Sequence, residues 1–373
     1  MLHQVSQRTV LAGLGAASLP NRAAARRGGG VNLFASGYDH EGCRGLLPLS
    51  YDADGEQWRT HDAVSSAPNA SFGAYSPRFG LHYLVEEAEN GMIAIFRTVA
   101  GRWDRIARLP SGGADPCHLA LDRAQSVLVV ANYSSGSVAF FQLNLDSGLP
   151  LGPADVRLQH GSGPDRARQE RAHAHWVGFT ADGRWLWAVD LGADAIFAYP
   201  FDPRTRRFGA ATIAYRAAPG SGPRHLAVHP HLPIVYLVNE LASTVTVLAT
   251  GSNAQLRPIA TVSSLPLGYA GDNGAAEIAL NAAGTCLYVS NRGHDSVALF
   301  AIAPNGLPSL IEHVGCGGRW PRFIRLLACQ SRLLVANERS GSIASFRIAG
   351  DGRLAPHGPG VSAPGIAYIG EVA

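Results

Sequence analysis

Short apolar segments recur along the chain, and turn-forming residues separate them. One unit begins with Pro116–Asp122, continues with Leu128–Asn132 and ends with Gly136–Phe141. Val, Ile, Leu, Phe and Ala dominate each segment, and Gly, Asn, Asp or Pro bound it, which is typical of short β-strands joined by tight turns. We find no stretch with the helical spacing that a helical or leucine-rich solenoid needs. The pattern therefore predicts an all-β protein.

Six copies of this unit follow one another. They start at Ser71, Cys117, His175, Arg224, Ala276 and Arg322, so that successive starts are 46, 58, 49, 52 and 46 residues apart. In every copy an acidic or amide residue closes the second segment 15 residues after the start. These closing residues are Glu86, Asn132, Asp190, Asn239, Asn291 and Asn337. A period of this length, with four strands in each unit, is typical of the blades of a β-propeller.

A seventh blade can be assembled from the two ends of the chain. Near the N-terminus, two segments resemble the middle strands of a blade that lacks its innermost strand, namely Val31–Gly37 and Gly45–Tyr51. Near the C-terminus, Ser362–Ile366 resembles an innermost strand that no further strands of the same blade follow. Joining them closes the ring and leaves no exposed sheet edge, the feature through which sheets aggregate. We therefore predict that residues 31–373 form one seven-bladed β-propeller of four-stranded antiparallel blades.

Residues 1–30 have the pattern of an export signal. Arg8 precedes the apolar stretch Thr9–Leu19, and Pro20 and the small residues Ala23–Ala25 follow it. This order is typical of a secretory signal peptide, and the alternative is a disordered leader rich in Ala and Gly. We expect a periplasmic or otherwise exported protein, with a cytoplasmic location as the alternative. Neither this stretch nor any other is long enough to span a membrane.

Composition narrows the possible chemistry. All 31 basic residues are arginines, which excludes Schiff-base catalysis and P-loop phosphate binding because both need a lysine. The formal net charge of +3 is small and scattered, so we expect no nucleic-acid partner. The five cysteines are dispersed, and we expect them to be buried free thiols. Nothing in the sequence argues for a subunit interface, and we expect a monomer.

The polar residues that break the repeat are the candidates for function. They lie at the start of the first strand in different blades, and the fold would bring them towards one axis. The set comprises His118, His173, His175, Arg224, His225, Glu277 and Arg322. His173 and His175 are two residues apart, so we expect them to share one face of a strand. His, Arg and Glu side chains in one cleft indicate acid–base chemistry on an anionic substrate.

A second set of polar residues lies at the ends of the second strands. For the Asn and Asp residues that close these strands we expect a structural role, because such side chains cap turns. Glu240, in contrast, follows Arg224 by 16 residues, and a buried arginine in a channel needs such a partner. Three of the histidines could in principle bind a metal, but no carboxylate-rich set accompanies them. We therefore expect neither a metal nor another cofactor.

Several motifs, taken in order along the chain, resemble those of the seven-bladed lactonases. They are P-C-H-L-A-L-D (116–122), H-A-H-W (173–176), G-S-G-P-R-H-L-A (220–227), V-N-E-L-A-S-T-V (238–245) and S-N-R-G-H-D-S (290–296). That family includes the propeller-type 6-phosphogluconolactonases and the fungal carboxy-muconate cyclases, and the resemblance covers residues 31–372. The chain departs from the usual family pattern at Glu86-Glu87, where N-E is usual, and at Ala35–Tyr38, where G-T-Y-T is usual.

The resemblance implies a metal-independent site on one face of the ring. Carried over position by position, its catalytic residues would be His175, Arg224, Glu240 and Arg292. The other polar residues named above, His118, His173, His225, Glu277 and Arg322, would then surround the substrate.

The resulting hypothesis is hydrolysis of a sugar-acid lactone, with a 6-phosphogluconolactone-like substrate as the default. Arg224 and Arg292 would bind the phosphate or carboxylate and polarise the lactone carbonyl. His175 or Glu240 would take a proton from the attacking water. The alternatives are a muconate-type cycloisomerase and a non-catalytic exported propeller that binds a ligand or a protein.

Overall fold

The computed structural model describes residues 30–327 and 331–372. Apart from Gly30, the predicted export signal lies outside the described residues, and so does Cys329. Within the two described ranges, no helix has the length and apolar character that crossing a membrane requires. The predicted all-β architecture is confirmed, because the strands form seven antiparallel sheets.

The strands of the first half of the chain are short and follow the predicted repeat. The first three are β1 (Val31–Gly37), β2 (Leu47–Asp52) and β3 (Gln57–Thr60). Blade 1 contains β4 (Phe72–Ser76), β5 (Leu81–Glu86), β6 (Met92–Val99) and β7 (Arg102–Pro110). Blade 2 contains β8 (Pro116–Leu121), β9 (Val127–Asn132), β10 (Ser137–Gln142) and β11 (Asp155–Leu158). Blade 3 contains β12 (Ala174–Phe179), β13 (Trp185–Asp190), β14 (Ala195–Asp202), β15 (Arg207–Phe208) and β16 (Thr212–Arg216).

The second half repeats the arrangement. Blade 4 contains β17 (Pro223–Val228), β18 (Ile234–Asn239), β19 (Thr244–Thr250) and β20 (Leu256–Ser263). Blade 5 contains β21 (Gly274–Leu280), β22 (Cys286–Arg292), β23 (Ser296–Ile302) and β24 (Pro308–Gly315). Blade 6 contains β25 (Pro321–Leu327), β26 (Arg332–Asn337), β27 (Ser342–Ile348), β28 (Leu354–Pro356) and β29 (Val361–Ser362). The last strand is β30 (Ile366–Glu371), and single 3-10 turns lie at Asp39–Glu41 and Ser252–Ala254.

The ring closes by pairing the two ends of the chain, as predicted. β30 is the innermost strand of blade 7 and pairs antiparallel with β1, and β2 and β3 follow outwards. The predicted inner strand was placed too early, because Ser362 belongs to β29 at the edge of blade 6. Pro364 and Gly365 form a turn between β29 and β30, and Gly365 has a φ of +63°, which takes it out of the extended conformation.

Aromatic residues with a polar tip join neighbouring blades at one repeated position. Equivalent places in blades 1, 3, 4 and 5, three residues before the acidic or amide residue that closes the second segment of the repeat, are occupied by Tyr83, Trp187, Tyr236 and Tyr288. Each donates a hydrogen bond to a backbone carbonyl of the next blade, over 2.7–2.9 Å. These side chains fill the apolar space between sheets, and the hydrogen bond satisfies their one buried polar group. Equivalent hydrogen bonds therefore join blade 1 to blade 2, blade 3 to blade 4, blade 4 to blade 5 and blade 5 to blade 6.

A β-bulge near the start of five innermost strands decides which side chains line the channel mouth. In blades 2, 3, 4 and 6, the first pair of the inner strand with the second strand is followed by a register shift of one residue. The shift leaves one inner residue without a partner on the next strand, namely Cys117, His175, Arg224 or Arg322. In blade 5 it leaves two, Ala276 and Glu277. A bulge redirects side chains. The bulged residues and the residues that directly follow them therefore lie together at one rim of the central channel, which we call the channel mouth.

Candidate active site

Three histidines from blades 2, 3 and 4 meet at this rim. The ring of His225 lies 5.3 Å from that of His118 and 5.2 Å from that of His175, between ring centroids. Blades 2 and 4 are not neighbours, so the contact of His118 with His225 crosses the channel. Burial lowers the pKa of all three imidazoles well below the ordinary value, and nearby charges, including Arg224, lower them further. All three rings are therefore neutral at pH 7.

His225 is paired with a carboxyl group of blade 5. Its Nδ1 lies 3.1 Å from Oε1 of Glu277. Burial raises the pKa of Glu277 to about 7, although the nearby Arg224 opposes the shift. Nε2 of His225 and Oε2 of Glu277 are both buried and have no hydrogen-bond partner among the described residues. Each residue of the pair therefore keeps one buried atom that can accept a proton and has no partner among the described residues.

An arginine cluster lies beside this pair and consists of Glu240 with Arg168, Arg224 and Arg292. The carboxylate oxygens of Glu240 lie 2.7 Å from Nη2 of Arg168, 3.1 Å from Nε of Arg224 and 2.8 Å from Nη2 of Arg292. Burial acts to raise the pKa of Glu240, but the three arginines outweigh it and hold the pKa well below the ordinary value. The predicted pairing of Arg224 with Glu240 is confirmed.

Arg224 is the most enclosed arginine of the cluster. Its side chain is 4% exposed, and its Nη1 donates to the carbonyl of Ala276 at 2.8 Å, next to Glu277. Burial, together with Arg292, lowers the pKa of Arg224 to about 10, so the guanidinium stays protonated at neutral pH. Three positive charges and one negative one leave the cluster with an excess of two positive charges.

A second group of charges surrounds Arg322. Its guanidinium lies 3.5 Å from Glu338 and 3.9 Å from Glu87, and it donates to the hydroxyl of Tyr38. Tyr38 in turn donates to Oε2 of Glu87 at 2.8 Å. This side of the mouth therefore carries more carboxylates than cations, unlike the arginine cluster. The two sides differ in charge and can orient a polar ligand.

The structure brings most of the predicted residues together. His118, His175, Arg224, His225, Glu240, Glu277 and Arg292 form one connected group, and Arg322 lies in the group around Tyr38. His173 is different, because it precedes β12 and does not share that strand with His175. Its ring stacks on Tyr133 at 4.5 Å, its Nδ1 lies 3.0 Å from the Tyr133 carbonyl, and its Nε2 lies 3.1 Å from Glu170. His173 therefore anchors the loop that precedes it.

Five residues of the site were not among the predicted site residues. They are Tyr38, Glu87, Tyr133, Arg168 and Glu338. Two of them, Tyr38 and Glu87, lie where the chain departs from the family pattern, which was an available signal. Arg168 lies within the longest of the repeat intervals, 58 residues, and the additional residues of that interval carry it to Glu240. Only the length of the interval pointed to this residue.

The residues that close the second strands have the structural role that was predicted. Asn239 donates to the hydroxyls of Thr244 and Thr246, at 3.0 and 2.9 Å. Asp190 accepts the backbone N–H groups of His173 and Ala193, at 2.7 and 2.8 Å. These side chains hold the turns from which the neighbouring functional residues project.

Thiol and metal chemistry have little basis in the described residues. The four described cysteines are free, and Cys117, Cys286 and Cys316 are buried as predicted, whereas Cys43 is half-buried. Burial raises the pKa of Cys117 well above the ordinary value, which makes it a poor nucleophile although it lies 4.0 Å from Nδ1 of His175. No group of three or more His, Cys, Asp or Glu side chains in residues 30–327 and 331–372 is arranged to hold a metal ion.

Comparison with known proteins shows the family to which the fold belongs. The family model Lactonase, 7-bladed beta-propeller, matches residues 32–369. A 6-phosphogluconolactonase of Bacillus subtilis is 29% identical over 320 residues, which cover 84% of this chain and 90% of that protein. A 6-phosphogluconolactonase of Formosa agariphila is 32% identical over 294 residues, which cover 76% of this chain and 82% of that protein. The solved structure of the periplasmic gluconolactonase PpgL of Pseudomonas aeruginosa is 28% identical, with a TM-score of 0.84 over 92% of this chain and 99% of that one. This chain therefore belongs to the seven-bladed β-propeller lactonase family.

Proposed function

We propose that this protein is a lactonase that hydrolyses a sugar-acid lactone, with a 6-phosphogluconolactone-like ester as its substrate. The observation that carries the proposal is the His225–Glu277 pair beside the arginine cluster. A proton acceptor next to fixed positive charge is what ester hydrolysis needs, because water must be deprotonated as negative charge develops on the carbonyl oxygen. The names of the relatives from Bacillus subtilis and Formosa agariphila support the same reaction.

His225 is the proposed general base. Glu240 is unsuited to this role because its carboxylate oxygens are already engaged by Arg168, Arg224 and Arg292 at 2.7–3.1 Å, whereas Nε2 of His225 has no partner among the described residues. In the proposed mechanism, Nδ1–H of His225 donates a hydrogen bond to ionised Glu277, which fixes the tautomer in which Nε2 carries a lone pair. Nε2 takes a proton from water, and the Glu277 carboxylate stabilises the imidazolium that forms.

Arg224 is the proposed electrophilic group. The water oxygen attacks the carbonyl carbon of the lactone, and the carbonyl oxygen becomes an oxyanion that faces the guanidinium. The bond from this carbon to the ring oxygen then breaks, and the ring oxygen takes the proton from His225. The product is an open-chain hydroxy acid, whose carboxyl group then releases its proton to solvent, and the resulting carboxylate lies beside Arg224 and Arg292. Both arginines are held in place by Glu240, which makes Glu240 a positioning residue.

Hydrolysis of δ-gluconolactone and of 6-phosphogluconolactone by the purified full chain tests the proposal. Each rate is compared with the spontaneous rate in buffer. We expect Arg224→Ala to lower kcat/KM by about a hundredfold or more, since one oxyanion donor is typically worth that much. Arg257→Ala is the matched control, because Arg257 is exposed on the outer strand of the same blade. It should retain the wild-type rate.

Two outcomes would contradict the proposal. One is a loss of less than about threefold in a folded Arg224→Ala variant, when about a hundredfold is expected. The other is a folded wild-type protein that hydrolyses neither lactone. In that case, loss of the ultraviolet absorbance of a muconate substrate would support the cycloisomerase alternative. A protein that turns over neither kind of substrate would support the other alternative, a non-catalytic propeller that binds a ligand or a protein.

We also propose that the protein acts outside the cytoplasm. The leader pattern between Arg8 and Ala25 supports this, and the similar protein PpgL is described as periplasmic. Fractionation of cells that express the full chain tests the location. Recovery of the uncut chain with the cytoplasmic fraction would refute it.

A further inference from the structure

The connection between blades 2 and 3 is a fixed part of the channel mouth. Residues 159–173 lie between β11 and β12 and are the longest connection between blades in the described part of the chain. Asp165 accepts the backbone N–H groups of Ala167 and Arg168 through Oδ1, at 3.0 and 3.2 Å. Gln169 is fully buried and donates to the carbonyl of Leu191 in blade 3 at 2.9 Å. These bonds fix the backbone from which Arg168 projects.

The side chain of Arg168 extends from this connection to residues of blades 2 and 4. Its Nη2 donates to Oε1 of Glu240 in blade 4 at 2.7 Å and to the hydroxyl of Tyr133, which follows β9 of blade 2, at 3.3 Å. Both bonds use the same nitrogen, and Nε and Nη1 have no hydrogen bond to any residue in the described ranges. The side chain is 42% exposed, whereas those of Arg224 and Arg292 are 4% and 8% exposed. Arg168 is therefore the member of the arginine cluster that solvent and ligands reach first.

The charge of the cluster is not balanced from within. Glu240 is the only carboxylate within ion-pair distance of its three arginines in the described residues. Two positive charges therefore stay uncompensated in a site where burial weakens screening by salt. A ligand with two negative charges, one produced at the reacting ester and one further away, would neutralise this excess. A guanidinium with two open nitrogens binds phosphate or carboxylate in a bidentate manner.

We propose that Arg168 binds an anionic group of the substrate remote from the reacting ester and thereby selects sugar acids with a second anionic group over those that carry one carboxylate alone. This inference rests on the proposed function for the identity of the substrate class. It goes beyond it by assigning the selection to one residue of the connection between blades 2 and 3. Phosphate and carboxylate share the required chemistry, and the choice of ligands in the experiment separates them.

The test measures binding of open-chain acids, which need no turnover. Dissociation constants of 6-phosphogluconate, glucarate and gluconate are determined by calorimetry for the wild-type full chain, Arg168→Ala and Arg168→Lys. Arg166→Ala is the matched control, because Arg166 belongs to the same connection, carries the same charge and is exposed. Thermal unfolding of every variant verifies that it is folded.

We expect Arg168→Ala to lose about tenfold or more in affinity for 6-phosphogluconate, for glucarate or for both, the two acids with a second anionic group, because a hydrogen bond to a charged group is worth about that factor. Affinity for gluconate should change less than threefold, and Arg168→Lys should recover part of the loss because it restores the charge without the bidentate geometry. A loss confined to 6-phosphogluconate identifies phosphate as the group, and a loss confined to glucarate identifies carboxylate.

Equal losses for all three acids would overturn the inference, because Arg168 would then act only by holding Glu240. Unchanged affinities would overturn it as well, and so would an equal effect of Arg166→Ala. The outcome is independent of the proposed hydrolysis. A protein that binds these acids but hydrolyses no lactone would refute the proposed function and leave the assignment of Arg168 intact.

Discussion

Replacing Glu240 by glutamine removes a charge and preserves the size of the side chain. In Glu240→Gln the guanidiniums of Arg224 and Arg292 would remain buried beside each other without their carboxylate. Arg168 is 42% exposed and can turn towards water, so it contributes little to the cost. The variant therefore measures what it costs to leave two buried cations uncompensated.

The expected cost follows from burial. Removing one partner of a buried ion pair costs about 3–5 kcal/mol, whereas an exposed pair contributes at most about 1 kcal/mol. We expect the free energy of unfolding of Glu240→Gln to fall by about 3–5 kcal/mol. At an unfolding entropy of about 2.1 cal/mol/K per residue, a propeller of this length would lose roughly 4–7 °C in Tm.

Urea unfolding at pH 7 measures the effect, and Glu86→Gln provides the control. Glu86 is also buried, but in the described part of the chain it forms an ion pair with Arg108 alone, and Arg108 is 42% exposed. This control should lose about 1 kcal/mol. Added inorganic phosphate should raise the Tm of Glu240→Gln more than that of the wild type, because an anion replaces the lost charge. A loss no larger than in Glu86→Gln, or an equal phosphate effect, would refute the reasoning.

Two further predictions concern the site and the ring closure. The kcat/KM should rise as the pH increases through about 7, because burial raises the pKa of Glu277 to about 7 and its ionised form supports His225; a flat profile in this range would contradict the assignment. Gly37→Ala should destabilise the protein by about 3 kcal/mol or more, since a Cβ atom there would overlap the carbonyl oxygen of Gly365 in the closing blade. Gly315→Ala meets nothing within 4 Å and should leave the stability unchanged.

The blades could be predicted because each is built from local hairpins. The apolar runs, the turns and the constant spacing of 15 residues between the start of a repeat and its closing residue are all properties of neighbouring residues. The seventh blade could be predicted from the need to close the ring, and this prediction requires no knowledge of contacts between side chains. The one misplaced element, the inner strand of blade 7, depends on a turn at Pro364 and Gly365 that separates β29 from β30.

Most of the site could be predicted because its residues occupy equivalent places in the repeat. Position in a blade brings His175, Arg224 and Glu277 to one rim whatever their sequence separation. Arg168 had no such position, because it lies in a connection outside the repeat. Tyr38 was likewise outside the predicted set, since it follows β1 and reaches the mouth only after the ring has closed.

The sequence by itself determined the number of blades, their strand order and most of the polar residues at the channel mouth, because hydrophobic periodicity and repetition are local. Tertiary structure alone decided the chemical states of these residues. The pKa of Glu277 is raised by burial among several blades, and that of Glu240 is lowered by arginines from two other parts of the chain, Arg168 and Arg292. Such shifts depend on distances of a few ångströms between residues far apart in sequence, and the closed ring sets those distances.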